Sequence, residues 1–196
     1  MRARRAVVAV PPPLAARIRF NPGLPGDRDQ LVQRMPMGRV IKVNVAYDEP
    51  FWRHAGLSGQ ANSTHRPFGT VLAPHDGSCG VLVGFLEGRH VDAGSRMDPE
   101  ERPAQVIDDL VGYFGPKARN PLAYIERDWA EEEYSRGCYG AFSVPGTLTR
   151  FGSALRRRVG PLHWAGTETA TRWAGYIDGA AESGHRAADE ILPELS

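Results

Sequence analysis

Trp164-Ala165-Gly166-Thr167-Glu168-Thr169-Ala170-Thr171-Arg172-Trp173-Ala174-Gly175-Tyr176-Ile177-Asp178-Gly179-Ala180 is the stretch that decides how this chain is read. A short apolar strand, 162–165, runs into a turn of small and polar residues. The turn opens into a helix, 176–192, with glycine and alanine near its start. Such a turn lets backbone N–H groups approach a flat, electron-rich ligand without side chains in the way. The helix start adds roughly half a positive charge and several unpaired donors. Along the helix Ile177, Ala180, Ala181, Gly184, Ala188 and Ile191 fall on one side, and Asp178, Glu182, Arg186 and Asp189 on the other. That pattern predicts that the first set packs on a sheet.

Working outward, 6–10 is a continuous apolar run, the pattern of a strand buried on both faces, and Pro11, Pro12 and Pro13 end it. With the arginines before it the run faintly imitates a signal peptide. The prolines cut the apolar part too short, so a strand in a cytoplasmic protein is expected. Ile18 and Phe20 suggest an extended piece, and 27–34 a short helix stopped by Pro36. Residues 39–47 alternate. Ile41, Val43, Val45 and Tyr47 face one way, and Val40, Lys42, Asn44 and Ala46 the other, as in a strand with two chemically different faces. Strands are also expected at 69–72, 80–86 and 122–129, with a turn at Pro74-His75-Asp76-Gly77. Residues 98–114 read as a helix: Asp98 as N-cap, Pro99 at the first position, Glu101 completing a capping box, and Gly115-Pro116 as the stop. Pro103 in its second turn works against that start. The fold class is α/β with α+β character. Both ends look like pieces of a buried-sheet nucleotide fold and the middle like a mixed sheet with one helix, so the chain leaves one architecture and returns to it.

The bulk properties narrow the function classes. A chain of 196 residues with 41% hydrophobic and 24% charged residues suits one domain or two small ones with a packed core. A net charge of +1 offers no general attraction to nucleic acid or to a membrane surface. No apolar run approaches the roughly 20 residues needed to span a bilayer. Two cysteines, Cys79 and Cys138, make no disulfide framework, which agrees with a reducing cytoplasm. The six histidines lack metal-ligand spacing. Arg156-Arg157-Arg158 reads as a solvated face or turn.

A second motif, Tyr134-Ser135-Arg136-Gly137-Cys138-Tyr139, follows an acidic and aromatic stretch, 129–134. A thiolate next to an electrophilic ring methyl can form a thioether, given access and a lowered pKa, to which Arg136 would contribute. An isolated cysteine is otherwise a small buried residue. The two motifs together closely resemble the flavin-contacting signature and the flavin-attachment site of the flavin-dependent monoamine oxidases. The resemblance runs from Val8-Ala9-Val10-Pro11-Pro12 to Leu192. It implies the C-terminal part of a two-domain flavin amine oxidase. On that reading 1–12 is a partial FAD-binding strand, 13–128 a substrate-binding mixed-sheet region with the helix 98–114, and 129–196 the flavin-contacting C-terminal segment of the FAD-binding domain.

The roles that follow are those the resemblance implies. Trp129, Cys138, Gly166, Thr167, Glu168, Gly175, Tyr176 and Ile177 would contact FAD, with a covalent thioether through Cys138 as a further implication. Some family members hold flavin without that bond, and the matching motif has glycine where this chain has Arg136. Tyr139 and Tyr176 would form an aromatic cage that guides an amine. Lys42 matches a lysine that holds a water near flavin N5 and assists reaction with oxygen. Phe85 matches an aromatic lining the amine pocket, and Thr70 falls where relatives carry a bulky gating residue. Without the motifs these would read as core tyrosines, an exposed lysine and a core phenylalanine. The implied reaction is oxidative deamination of a primary or secondary amine to an aldehyde with release of hydrogen peroxide. Its partners would be the amine and oxygen, with no nucleic acid and no membrane. The G-x-G-x-x-G turn that holds a dinucleotide pyrophosphate occurs nowhere in the chain. The adenine end of FAD would therefore need another receptor. The alternative reading is a non-catalytic remnant that needs a partner supplying the N-terminal dinucleotide-binding half, or a homo-oligomer.

Overall fold

The computed structural model describes residues 2–74 and 77–195; His75 and Asp76, in the turn expected at 74–77, lie outside the described residues. In chain order the elements are β1 (Ala6–Val8), α1 (Pro12–Ala15), α2 (Gly26–Val32), β2 (Val40–Tyr47), β3 (Ala61–Asn62), β4 (Thr70–Leu72), β5 (Gly80–Glu87), α3 (Arg89–Arg96), α4 (Arg102–Phe114), β6 (Ala123–Asp128), α5 (Thr147–Phe151), β7 (Leu162–Trp164) and α6 (Ile177–Ile191). Short 3₁₀ turns occur at Phe51–Ala55, Pro116–Arg119, Gly152–Leu155, Thr167–Thr169 and Leu192–Glu194. The mixed α/β class expected from the pattern is what forms.

The chain divides into two compact units, Met1–Gly38 with Cys138–Ser196, and Arg39–Gly137. The units meet in the chain at 38/39 and 137/138, where the sequence reading drew its divisions at 12/13 and 128/129. The reason is packing. Leu31 and Met35 form a small core with Ala154 and Leu155, which draws the segment after α1 into the unit of the chain ends. Buried Arg28 reinforces this, donating from Nη1 to the carbonyls of Ala154 (2.9 Å) and Leu155 (2.8 Å).

The inserted unit is a five-stranded antiparallel sheet in the order β3-β4-β5-β2-β6. Strand β2 alternates as read: Ile41, Val43, Val45 and Tyr47 are buried, and Lys42, Asn44 and Ala46 are half-buried on the other face. The buried face packs with Leu82, Leu86, Val106, Leu110 and Trp52. Each fully buried aliphatic side chain of this kind stabilises by about 1.5–3 kcal/mol.

Two helices in this unit depart from expectation. Helix α4 begins at Arg102, not at Asp98, because Pro103 is tolerated only in a first turn. Residues 99–101 form a turn instead, in which the Asp98 carboxylate accepts the Glu100 N–H (2.9 Å) and no capping box forms. Helix α3 has few apolar positions, which hid it from periodicity. Val91 and Gly94 are its buried anchors, and Gly94 lies against Leu86.

The unit of the chain ends pairs β1 with β7 in parallel, Ala6 opposite Leu162 and Val8 opposite Trp164. The expectation of a strand buried on both faces fails for β1. Among the described residues its sheet has two strands, and Val7 is 46% exposed. Helix α6 is rotated from the expected facing. Gly179, Ser183 and Ala187 are buried, while Ile177 is 87% exposed and Ala181, Gly184 and Ala188 face outward. Hydrogen bonding decides the rotation. Ser183 Oγ accepts the Gly166 N–H (2.9 Å), and Arg186 donates to the Trp164 carbonyl (2.6 Å), so this polar side of the helix must face β7.

Leu110 is fully buried in α4. Leu110→Ala should cost about 2–5 kcal/mol, read as a lowered midpoint in chemical denaturation at unchanged slope.

Candidate functional site

The site is built from two strips of the chain-end unit. In the first, Cys138-Tyr139-Gly140-Ala141 runs antiparallel to the segment 34–38. The Gly38 N–H donates to the Gly140 carbonyl (2.9 Å), and the Cys138 N–H donates to the Gly38 carbonyl (2.9 Å). Met37 bridges Ala141, the Phe142 N–H reaches the Pro36 carbonyl (2.9 Å), and the Val144 N–H reaches the Arg34 carbonyl (3.1 Å). A Cβ on Gly38 would run into the Cys138 carbonyl and come within 2.8 Å of the Phe142 ring. Only glycine allows this approach. Cys138 is half-buried and not in a disulfide. Arg136, where the matching motif has glycine, adopts φ +55°, a left-handed conformation that costs a non-glycine residue about 1–2 kcal/mol.

The second strip is the turn after β7. Thr167 Oγ accepts the Gly175 N–H (2.6 Å) and donates to the Tyr176 carbonyl (3.0 Å). Glu168 Oε1 accepts the Ala141 N–H (3.1 Å), so adjacent residues hold the backbone on both sides, one at Tyr176 and one beside Tyr139. The turn is secured from below by arginines. Arg156, in an exposed turn as read, also donates to the carbonyls of Thr169 (2.6 Å) and Ala170 (2.7 Å). Arg157 and Arg158 do pair at the surface, with Asp27 and Glu194. Arg28 places its guanidinium carbon 3.6 Å from the centre of the Trp164 ring, and burial draws its pKa down to about 10. His163 is fully buried and its Nδ1 meets Glu190 (2.9 Å), to which Arg186 also donates (2.5 Å).

Between the strips lies a cavity of about 290 Å³. Its walls include Tyr139, Thr167, Glu168 and Gly175 from the sequence-derived set, with Met35 and Phe142 as apolar lining. Tyr176 and Ile177 do not line it. The Tyr176 ring instead meets Trp173 edge-on, with centroids 6.0 Å apart, and both tyrosines are exposed, Tyr139 by 56% and Tyr176 by 65%. Gly166 sits at φ +110° at the head of the turn, and Gly175 at φ +91° with open space where a side chain would be.

Lys42, Phe85 and Thr70 belong to the inserted unit, and the sheet places them in one row. Phe85 lies opposite Lys42 on one side and opposite Thr70 on the other, so all three project from the open face. Thr70 donates to Glu87 (3.1 Å). Trp129 follows β6, its N–H bonded to the Val40 carbonyl (3.2 Å). Its indole Nε1 is buried without a hydrogen-bond partner among the described residues.

Residues 1–192 match the family model described as flavin containing amine oxidoreductase. The chain belongs to this family. It is 47% identical over 196 residues to a probable flavin-containing monoamine oxidase A of Dictyostelium discoideum, covering 99% of this chain and 43% of that protein. It is 43% identical over 195 residues to the flavin-containing amine oxidase B of Sus scrofa, covering 97% of this chain and 38% of the relative. Among solved structures, cyclohexylamine oxidase from Brevibacterium oxydans IH-35A superposes with a TM-score of 0.96 at 39% identity, over 100% of this chain and 44% of that one. The chain thus spans about two fifths of the length of these relatives.

Sequence reasoning missed Gly38, Arg28 and the apolar cavity wall. Nothing in Met37-Gly38-Arg39 announces that Gly38 must touch Cys138, a hundred residues away in sequence.

Burial alone would raise the Glu190 pKa, but hydrogen bonds from His163 and Arg186 outweigh it and hold the carboxyl below its usual value. Its stabilising contribution is therefore present above the ordinary carboxylate pKa and lost as pH falls through the lowered folded value. Glu190→Gln should lower stability at neutral pH and match the wild type in strong acid, as checked by denaturation curves across that range.

Proposed function

We propose that this chain forms the part of an FAD-dependent amine oxidase that carries the covalent attachment point and the amine-binding face, acting in the cytoplasm. The carrying observation is the pair of strips joined through Thr167 and Glu168. It supports the reading because it sets Tyr139, Thr167, Glu168 and Gly175 around one cavity, with Cys138 and Tyr176 next to these residues in the chain.

The residues fit a flavin. The open backbone at Gly175 leaves room for a flat ring. Within the chain-end unit Cys138, Gly166, Thr167, Glu168, Gly175, Tyr176 and Ile177 would hold it, with Cys138 Sγ as the attachment atom that the resemblance implies. When bound, the flavin supplies the two-electron acceptor for the C–H bond next to the amine nitrogen. Tyr139 and Tyr176 would present aromatic faces to the neutral amine and orient its nitrogen. Phe85, beside Thr70, would exclude water from the substrate's apolar part. Lys42 would hold a water by its ammonium group and favour charge developing on oxygen. For a primary amine the balanced outcome is amine, oxygen and water giving aldehyde, ammonia and hydrogen peroxide.

A second reading is a chain that does no chemistry alone and needs a separate polypeptide with a glycine-rich dinucleotide turn. The exposed Val7 and Ile177, on an open strand and an unpacked helix face, favour it. A visible spectrum of the purified chain, alone and with such a polypeptide, separates the readings. Flavin bands in the chain alone support independent binding. Bands only in the mixture support the second reading, and colourless protein in both overturns the amine oxidase assignment.

Cys138→Ala in flavin-loaded protein should release all flavin on acid precipitation, where the unsubstituted chain retains it. Colour that stays with the precipitated variant would remove Cys138 as the attachment point.

A further inference from the structure

We infer that Gly38 and Glu168 are positioning residues that clamp the strip Cys138–Ala141 from two sides and thereby set where the Cys138 thiol and the Tyr139 ring stand. The inference rests on the amine oxidase reading for its purpose and on the geometry of the chain-end unit for its content.

Gly38 holds the strip by backbone alone. It donates to Gly140 and accepts from Cys138, both at 2.9 Å, so the two residues flanking Tyr139 are tied to one residue. This double tie needs the backbones closer than any Cβ permits. A side chain at 38 would collide with the Cys138 carbonyl and with Phe142, and the carbonyl belongs to the peptide that joins Cys138 to Tyr139. Any relief must therefore move the attachment atom and the ring together. The collision is with backbone and an aromatic ring, neither of which can swing aside as the end of a flexible chain would.

Glu168 holds the strip at its other end. Its Oε1 accepts the Ala141 N–H at 3.1 Å, and the same oxygen would lie 3.5 Å from a Cβ on Gly140. The carboxylate thus fills the space beside Gly140 and satisfies a donor, the Ala141 N–H, that the pairing with 34–38 leaves over. Because Thr167 next door holds Gly175 and Tyr176, displacement of Glu168 would change the strip's distance from the Tyr176 backbone as well. Glu168 acts here through the backbone of its neighbours. This role is separate from any contact with the ring system, and a carbonyl oxygen could fill it as well as a carboxylate.

The test reads the thiol directly in the full chain. The rate of iodoacetamide alkylation at Cys138 is measured against that at Cys79, an exposed cysteine of the inserted unit, in the same molecules by peptide mass spectrometry. Gly38→Ala and Glu168→Leu should each change the Cys138/Cys79 rate ratio by about threefold or more, the scale of one lost hydrogen bond. Glu168→Gln keeps an acceptor oxygen and should restore the original ratio. Gly184→Ala, on an open helix surface with nothing within 4 Å of the added carbon, should leave it unchanged. In flavin-loaded protein Gly38→Ala should also lower the acid-stable fraction of the flavin more than the total bound. If Gly38→Ala does not fold, the pair Glu168→Leu and Glu168→Gln decides. An unchanged ratio in Glu168→Leu, or equal changes in both Glu168 variants, overturns the proposal. Wild-type chain that never holds flavin would sink the amine oxidase reading while the alkylation ratios still judge the clamp.

Discussion

The hydrogen-bonded pairing of Gly38 with Cys138 and Gly140 is the contact on which the rest of this structure depends. At this point the chain leaves one compact unit and, roughly one hundred residues later, re-enters it. Closing a flexible loop of that length would cost about 4 kcal/mol in chain entropy. The inserted unit lowers that cost by folding with its own ends adjacent. Ile41 near the start of β2 lies opposite Asp128 at the end of β6, and the Trp129 N–H bonds to the Val40 carbonyl. The same pairing puts the residues of the attachment motif into a regular backbone frame. Architecture and candidate chemistry thus share one constraint, and a residue without a side chain meets it.

The second support is the set of arginines around the turn after β7. Arg28, Arg156 and Arg186 each donate to backbone carbonyls, and Arg28 also stacks on Trp164. Turn carbonyls that no strand satisfies find partners here in guanidinium groups. The turn that resembles a flavin-contacting signature is held by hydrogen bonds from Arg186 of α6 and Arg156 of the loop before β7, while Arg28 of α2 stacks on Trp164 at its head and ties down the carbonyls of Ala154 and Leu155. Its form therefore depends on Arg28, Arg156 and Arg186, none of which belongs to the signature itself.

How much of this was legible in the sequence varied with the physics involved. The alternation of 40–47 and the strand at 80–86 could be read directly, because a sheet with one covered face writes a period of two into its residues. The motifs at 134–139 and 164–180 were legible as a family resemblance, and the match of residues 1–192 bears it out. The facing of α6 was misread because apolar count was taken as the guide. Ser183 and Arg186 have hydrogen bonds to make, and these outrank a stripe of alanines that releases little on burial. Strand β1 was read as buried from composition alone, which cannot tell how many strands flank it. Gly38 left no trace, since a close approach is a property of two distant segments and shows in neither.

The most direct measurement is native-state hydrogen exchange of the amides of Gly38, Cys138, Phe142 and Val144, which all donate across the pairing of 34–38 with 138–144. The account predicts that the four are protected together and exchange only with opening of the whole chain-end unit. Rapid exchange at Gly38 and Cys138 while amides inside α6 stay protected would contradict it, because the strip that carries the attachment motif would then be held by something other than this pairing.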